Sequence, residues 1–443
     1  MTSKTTLPLY LTATATSLFG NASIAIVLPW LVLERTGDPA LAGTVAAVSA
    51  LPSAIAAFAG GHLIDRIGRR RMSVIADIGS ALSVAALAIV DATFGLDVFW
   101  FIALGVLGAL FDVPGMTARD TLLANVAETS GATLDRLAAM RGTLFGLSFL
   151  AGPALAGWLL TVLPSINVVW ITAACSAVAA VTIGVMPLVA SAPSPVQDAS
   201  PLAGLTLIRR SRPLLSLLII SLASAVLLGP LLSVVLPAHF NALDAPALLG
   251  LSLSAYAVGT MAGAVVYGWL FAGRRWAAWV VANLLYATSG VLIATLDGFW
   301  LVGAGMLAAG LGSGLAQPIT TVAMTEGVPD ALRGRVFGTY SAFSLVATPV
   351  GLGMIAAVLA GADLRVGAWV LAAGWLLVSA YALVAPGVKD FVTAPAAADT
   401  HPPDAVTVPP SDPDPAEWEA GTVSPSGPDP GADPHPTPAA DDH

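Results

Sequence analysis

Twelve apolar runs, each long enough to cross a lipid bilayer, leave this chain very few folds to choose from. A spanning helix needs about 20 apolar residues. The runs fall near 8–32, 40–64, 72–94, 98–124, 139–163, 166–189, 213–237, 246–272, 276–296, 299–325, 334–360 and 364–386. They are too long for barrel strands and lack the alternation that such strands show. Pro29, Pro52, Pro114, Pro153, Pro230, Pro318 and Pro349 interrupt seven of them. In a packed membrane bundle, neighbouring helices and water re-satisfy the carbonyls that a proline frees, so these prolines do not lower the count. The chain is 56% hydrophobic and only 10% charged, whereas a soluble protein averages about 25% charged residues. The expected fold class is an all-α polytopic membrane protein with twelve transmembrane helices.

The formal charge of -9 says little about partners. Ten of the 27 acidic residues lie beyond residue 390, where there is no Lys or Arg, leaving 17 acids against 18 basic residues elsewhere. Such a balance gives no basic face, and no nucleic-acid partner is expected. The basic residues do fix an orientation. With the N-terminus inside, Lys4, Arg66, Arg69, Arg70, Arg71, Arg136, Arg141, Arg209, Arg210, Arg212, Arg274, Arg275, Arg333, Arg335 and Lys389 are cytoplasmic. Arg35 and Arg365 fall outside and Arg119 lies within a run. This positive-inside bias predicts a multi-pass protein of the cell membrane with both termini cytoplasmic. The first run lacks the short apolar core and cleavage site of a signal peptide and is expected to be retained.

Composition divides the chain further. Residues 191–212 combine a Ser-Pro-rich stretch with three arginines and read as a cytoplasmic linker between two six-helix halves, 1–190 and 213–390. The halves repeat weakly: Arg141-Gly142-Thr143-Leu144-Phe145-Gly146 opens the fifth run, and Arg333-Gly334-Arg335-Val336-Phe337-Gly338 opens the eleventh. Residues 391–443 are rich in Pro, Ala and Asp, and cannot bury enough apolar surface to fold; a disordered acidic cytoplasmic tail is expected there. The single cysteine, Cys175, excludes an intramolecular disulfide and a Cys-based metal cluster. His401, His435 and His443 are too scattered for a metal site, and none is expected.

The densest charge lies between the second and third runs, in Gly61-His62-Leu63-Ile64-Asp65-Arg66-Ile67-Gly68-Arg69-Arg70-Arg71. Gly61 allows close helix approach, and Asp65 is placed to meet a cation or a helix N-terminus. Gly68 permits a turn too tight for a side chain, and the arginines hold the loop in the cytoplasm. The pattern G-x-x-x-D-R-x-G-R-R resembles the signature loop of major facilitator superfamily transporters. The resemblance covers residues 8–386. It implies two pseudo-symmetric six-helix halves and a cytoplasmic gate in which Asp65 faces Arg333 and Gly334. It also implies that a loop arginine, among Arg66, Arg69 and Arg70, reaches Asp120 at the end of the fourth run. The plainer reading is a charge cluster that only fixes orientation. In the fifth run, Gly152-Pro153-Ala154-Leu155-Ala156-Gly157 resembles the G-P-x-x-G-G core associated with exporters of this superfamily. Ala156 replaces one glycine and Ser148 an upstream one, so Gly152, Pro153 and Gly157 serve equally as ordinary small-residue packing.

Asp112 sits near the middle of the fourth run, where a charge costs roughly 2.5–3.5 kcal/mol on insertion scales. A carboxyl at that depth could take a proton from one side and release it to the other; it could also pair with a backbone group freed near Pro114. Arg119 follows by seven residues, two turns along one face. Asp77 in the third run lies at similar depth, so an Asp77–Arg119 ion pair is expected. A cavity between the halves would draw on runs one, four, seven and ten, with Asn21, Asp112, Tyr256 and Gln317 as candidate lining.

Absences complete the reading. There is no phosphate-binding loop, no metalloprotease or serine-hydrolase motif, and only two lysines, Lys4 and Lys389. Neither an enzyme nor a nucleotide-driven pump is expected. The resemblance then implies secondary transport of a small-molecule substrate by a monomer in the lipid bilayer, with a proton gradient and no cofactor. Proton-coupled efflux of small amphipathic molecules suits the apolar pathway. The alternatives are an importer or a siderophore or metabolite exporter, and a transport-inactive receptor or scaffold working through the tail.

Overall fold

The computed structural model describes residues 5–188, 206, 208–271, 273–326, 328 and 330–393. Twelve long helices account for nearly all of them, with no strand among the described residues. In chain order the spans are Thr6–Thr36, Pro39–Ile67, Arg69–Thr93, Val98–Thr121, Leu134–Val162, Ser165–Val185, Arg212–Pro230, Pro246–Leu270, Arg275–Ala294, Gly298–Glu326, Asp330–Leu359 and Leu364–Val384. Ten are long and apolar enough to cross a membrane. The second and eleventh contribute the described apolar stretches Pro39–Ser53 and Phe343–Leu359.

Local chemistry sets the ends. The Asp38 carboxylate accepts from the Ala40 and Leu41 amides at 2.8 and 3.3 Å, capping span two, and Asp97 accepts from Trp100 at 3.0 Å at the head of span four. Such caps satisfy amides that a helix leaves unpaired. Gly68, at φ +94°, closes span two and opens span three, a backbone geometry that side chains rarely adopt. Pro29, Pro52, Pro114, Pro153, Pro318 and Pro349 sit inside helices. Pro230 instead leads into a π turn, Leu231–Val235, and the short helix Leu236–Ala242, which together prolong span seven.

The packing repeats with a six-span offset. In the first half span one packs on five and six, two on four, and three on four and six; in the second, seven packs on eleven and twelve, eight on ten, and nine on ten and twelve. The halves meet where span two lies on eleven and span five on eight. One pair breaks the symmetry: seven and twelve pack far more sparsely than one and six.

Call the end carrying Arg66–Arg71 the loop side. On the opposite, far side a single apolar core runs through both halves, from Trp30, Val45 and Phe101 to Phe240, Met306 and Ile355. On the loop side the buried clusters stay within one half each. Tyr10, Leu137 and Met186, and separately Ile64, Met72 and Ala118, belong to the first. Leu214, Trp279, Tyr340 and Val392 belong to the second. Among the described residues, the buried apolar core joins the two halves on the far side.

The second half extends further than the sequence suggests. A short helix, Val388–Thr393, places Val388 and Val392 one turn apart, both buried in the loop-side cluster. Lys389 lies 5.9 Å from the Trp276 ring centre. Residues 391–393, expected to start the tail, thus belong to the bundle because those two valines share a face. Most of the linker 191–212 and the tail from 394 lie outside the described residues.

Candidate transport site

Small residues bring spans three and four together and so create the polar cleft of the first half. A methyl group at Gly115 would sit 2.7 Å from Ala76 Cβ, and one at Gly79 would meet the Phe111 ring. At that spacing Asp77 and Ser80, one turn apart on span three, face Asp112 and Arg119 on span four. Arg119 Nη2 reaches Asp77 Oδ1 at 2.6 Å, with the two side chains 4% and 6% exposed. The Ser17 hydroxyl lies 3.5 Å from the same oxygen, and the Ser80 hydroxyl donates to Asp112 Oδ1 at 2.8 Å. Asn21 joins them in lining one cleft of roughly 10 Å³. Among the described residues, Asp77 Oδ2 and Arg119 Nε have no hydrogen-bond partner. The arithmetic of the set is simple: two carboxylates face one guanidinium, so a single added proton makes it neutral. Ser80, missed in the sequence, carries a visible signal as a hydroxyl one turn from Asp77.

The loop arginines bind within their own half. Arg69 Nη1 lies 3.4 Å from Asn125 Oδ1 and 3.5 Å from the Thr121 carbonyl. Arg70 donates to the Ile183 and Gly184 carbonyls at the end of span six, where a cation complements the helix dipole. Arg66 is exposed. Asp120 does not receive a loop arginine: Arg141 of span five holds it at 2.5 Å. Span four ends at Thr121, and the short helix Leu123–Ser130 leads into span five, bringing Arg141 onto Asp120. The surroundings of Gly61 and the side chains of Asp65 and Arg333 lie outside what the structure describes.

The exporter-like motif forms part of the seam between halves. A methyl group at Gly157 would run into the Pro246 carbonyl and Gly250, and one at Gly250 into the Pro153 carbonyl; one at Gly152 would lie 2.7 Å from Ala22 Cβ of span one. Next along the seam, Ser254 donates to the Leu150 carbonyl at 2.6 Å and the Phe149 and Tyr256 rings meet edge-on at 6.1 Å.

The four residues expected around one central cavity divide between two places. Asn21 and Asp112 line the small cleft, whereas Tyr256 and Gln317 line a cavity of roughly 330 Å³ within the second half. The reason is the looseness of spans seven and twelve, which opens space inside that half. Tyr286, Trp375 and Asn283 line it too. Of these only Asn283, polar within an apolar run, carries a sequence signal.

Comparison with known proteins follows this geometry. The family model described as Major Facilitator Superfamily matches residues 10–246, and the one described as Sugar (and other) transporter matches 232–389. The multidrug efflux pump Tap of Mycolicibacterium fortuitum is 33% identical over 393 residues, covering 86% of this chain and 96% of that protein. Macrolide efflux protein A of Streptococcus pyogenes is 23% identical, covering 85% and 94%. Among solved structures, a D323A mutant of the nucleoside transporter NupG superposes with a TM-score of 0.72 at 13% identity, over 86% of this chain and all of that one. A D-xylose-proton symporter gives 0.62 at 14%, over 87% and 99%. At such identities the structural likeness speaks for the fold alone.

Proposed function

The chain belongs to the major facilitator superfamily, and from that premise we propose that it is a proton-coupled secondary exporter of small amphipathic molecules, drugs or secondary metabolites. The efflux pumps among its relatives support export. The observation that carries the coupling is the buried set of Asp77, Asp112 and Arg119. A proton on Asp112 changes its net charge from negative to neutral, and a membrane-embedded charge change of that kind favours one facing state over the other. Asp77 and Arg119 hold each other in place; Asp112, bonded to the neutral hydroxyl of Ser80, is the group that cycles.

The loop side is the cytoplasmic side in this reading, because the arginines gather there. The far side, where one apolar core runs through both halves, is then the outer side. Closing the loop side would bring Asp65 toward Arg333 at the start of span eleven. The energy source is the proton gradient, with no cofactor, and the working unit is a monomer.

Inside-out membrane vesicles test the proposal. Lipophilic dyes and drugs should accumulate when a proton gradient is imposed and stop accumulating when an uncoupler collapses it. Asp112→Asn protein, inserted normally, should show no gradient-driven uptake. Uptake unchanged in that variant would remove Asp112 from the coupling, and no uptake of any compound would overturn the efflux reading.

A further inference from the structure

We propose that the second half carries a substrate site of its own, enclosed by spans seven, nine, ten and twelve, for an uncharged molecule built around a ring system. The inference rests on the efflux reading and narrows it.

The first ground is the broken symmetry. In the first half, span one lies along span six, with Gly20 against Thr172, Cys175 and Ser176. The matching pair in the second half is pinned at the loop side, where Ser216 meets Pro386 and Tyr381, and at Leu227 against Gly374. The cavity occupies the space that close packing of seven on twelve would have filled. Leu231, first residue of the π turn, forms part of its wall; π turns interrupt regular helix packing and recur at functional sites.

The second ground is the lining. Its 330 Å³ lies at the lower end of the range for small-molecule pockets, about 300–1,000 Å³. Among the described residues, no Asp, Glu, Lys, Arg or His lines it. A cation or anion would therefore lose its hydration with no counter-charge, a cost of several kcal/mol; a neutral molecule would not. Tyr286 and Trp375 stack at 4.9 Å with planes 16° apart, offering an aromatic wall for a ring. Hydrogen-bonding groups on the wall are neutral, among them the hydroxyls of Ser221, Ser224, Ser313 and Ser344. The Trp279 indole donates to the Ala382 carbonyl and the Asn283 amide nitrogen to the Trp279 carbonyl, which leaves the Asn283 amide oxygen as an acceptor. Gln317, exposed toward the cavity, makes no hydrogen bond among the described residues.

The third ground is position. Tyr256 lines this cavity and touches Phe149 across the seam. A molecule pressing on Tyr256 thus bears on the contact between halves, while the titratable cleft lies in the other half. Substrate and proton need not share a carboxylate.

The test is equilibrium binding of tritiated progesterone, an uncharged fused-ring probe, to the full-length protein in nanodiscs with empty discs as blank. Binding should saturate, and Trp375→Leu and Ser224→Leu should each weaken it at least about tenfold. Tyr286→Phe, which keeps the ring, should stay within about threefold, and Asp112→Asn within about twofold. The permanent cation tetraphenylphosphonium should not displace the probe. No saturable binding, displacement by the cation, or a loss in Asp112→Asn equal to that in Trp375→Leu would each overturn the proposal. If Trp375→Leu fails to fold, Ser224→Leu decides alone. Binding that follows this pattern without vesicle transport would keep the pocket and sink the efflux reading. Transport with binding indifferent to Trp375 and Ser224 would do the reverse.

Discussion

Replacing Arg119 with Met would strip the guanidinium from the polar cleft while keeping most of the stem that packs there. The side chains of Arg119 and Asp77 are 4% and 6% exposed, and their single contact is 2.6 Å long. Asp77 would then be left as a buried carboxylate with only the Ser17 hydroxyl, at 3.5 Å, within reach. Breaking one side of a buried pair costs about 3–5 kcal/mol, whereas replacing both sides is often close to neutral. Arg119→Met and Asp77→Asn should therefore each destabilise by about 3–5 kcal/mol, and the double variant by less than their sum, with a coupling energy of at least about 3 kcal/mol. The exposed pair Arg365–Asp297, at 3.0 Å and more than 60% exposed on both sides, is the internal control; it should couple by no more than about 1 kcal/mol. Equilibrium unfolding in mixed detergent micelles at rising SDS fraction measures both cycles. Hydrogen bonds in membrane proteins reach about 1.7 kcal/mol at most by the same method. A coupling at or below that ceiling would refute the claim that Asp77 and Arg119 act as a desolvated ion pair.

Four further outcomes are expected. Gly250→Leu should wedge the seam between spans five and eight and raise far-side labelling of a cysteine placed at Ala245 in a Cys175→Ser background, as read by a membrane-impermeant maleimide. Arg141→Ala should cost no more than about 1 kcal/mol, because its pair with Asp120 is partly exposed; thermal unfolding checks this. Asp65→Asn should slow turnover without reducing insertion, measured as initial efflux rate per amount of membrane protein. Deleting residues 394–443 should leave transport intact, while a deletion from 388 should destabilise the bundle by removing Val388 and Val392 from their cluster.

The sequence spoke clearly wherever one residue's environment could be judged from its own neighbours along the chain. Run length gave twelve helices, since a bilayer imposes a length regardless of tertiary detail. The shared depth of Asp77 and Arg119 follows from counting turns, and the structure brings them together. Legibility stopped where packing between distant segments decides. Asp120 was open to several arginines, and only the turn through Leu123–Ser130 shows why Arg141 takes it. Tyr256 and Gln317 looked like partners of Asn21 and Asp112 because all four are polar or aromatic in otherwise apolar helices. That spans seven and twelve stand apart, moving the cavity off the expected axis, depends on residues about 150 positions apart and has no local signal.

The far-side seam also makes temperature a control on this molecule. Parting it would expose residues such as Trp30, Phe240 and Ile355 to water, and exposing apolar surface raises the heat capacity. Apolar contact also weakens on cooling, which charge-based contacts do not share in the same way. The balance between the two facing states therefore has its own curvature with temperature, drifting toward an opened far side in the cold. An Arrhenius plot of turnover should bend for that reason even in a bilayer that stays fluid throughout.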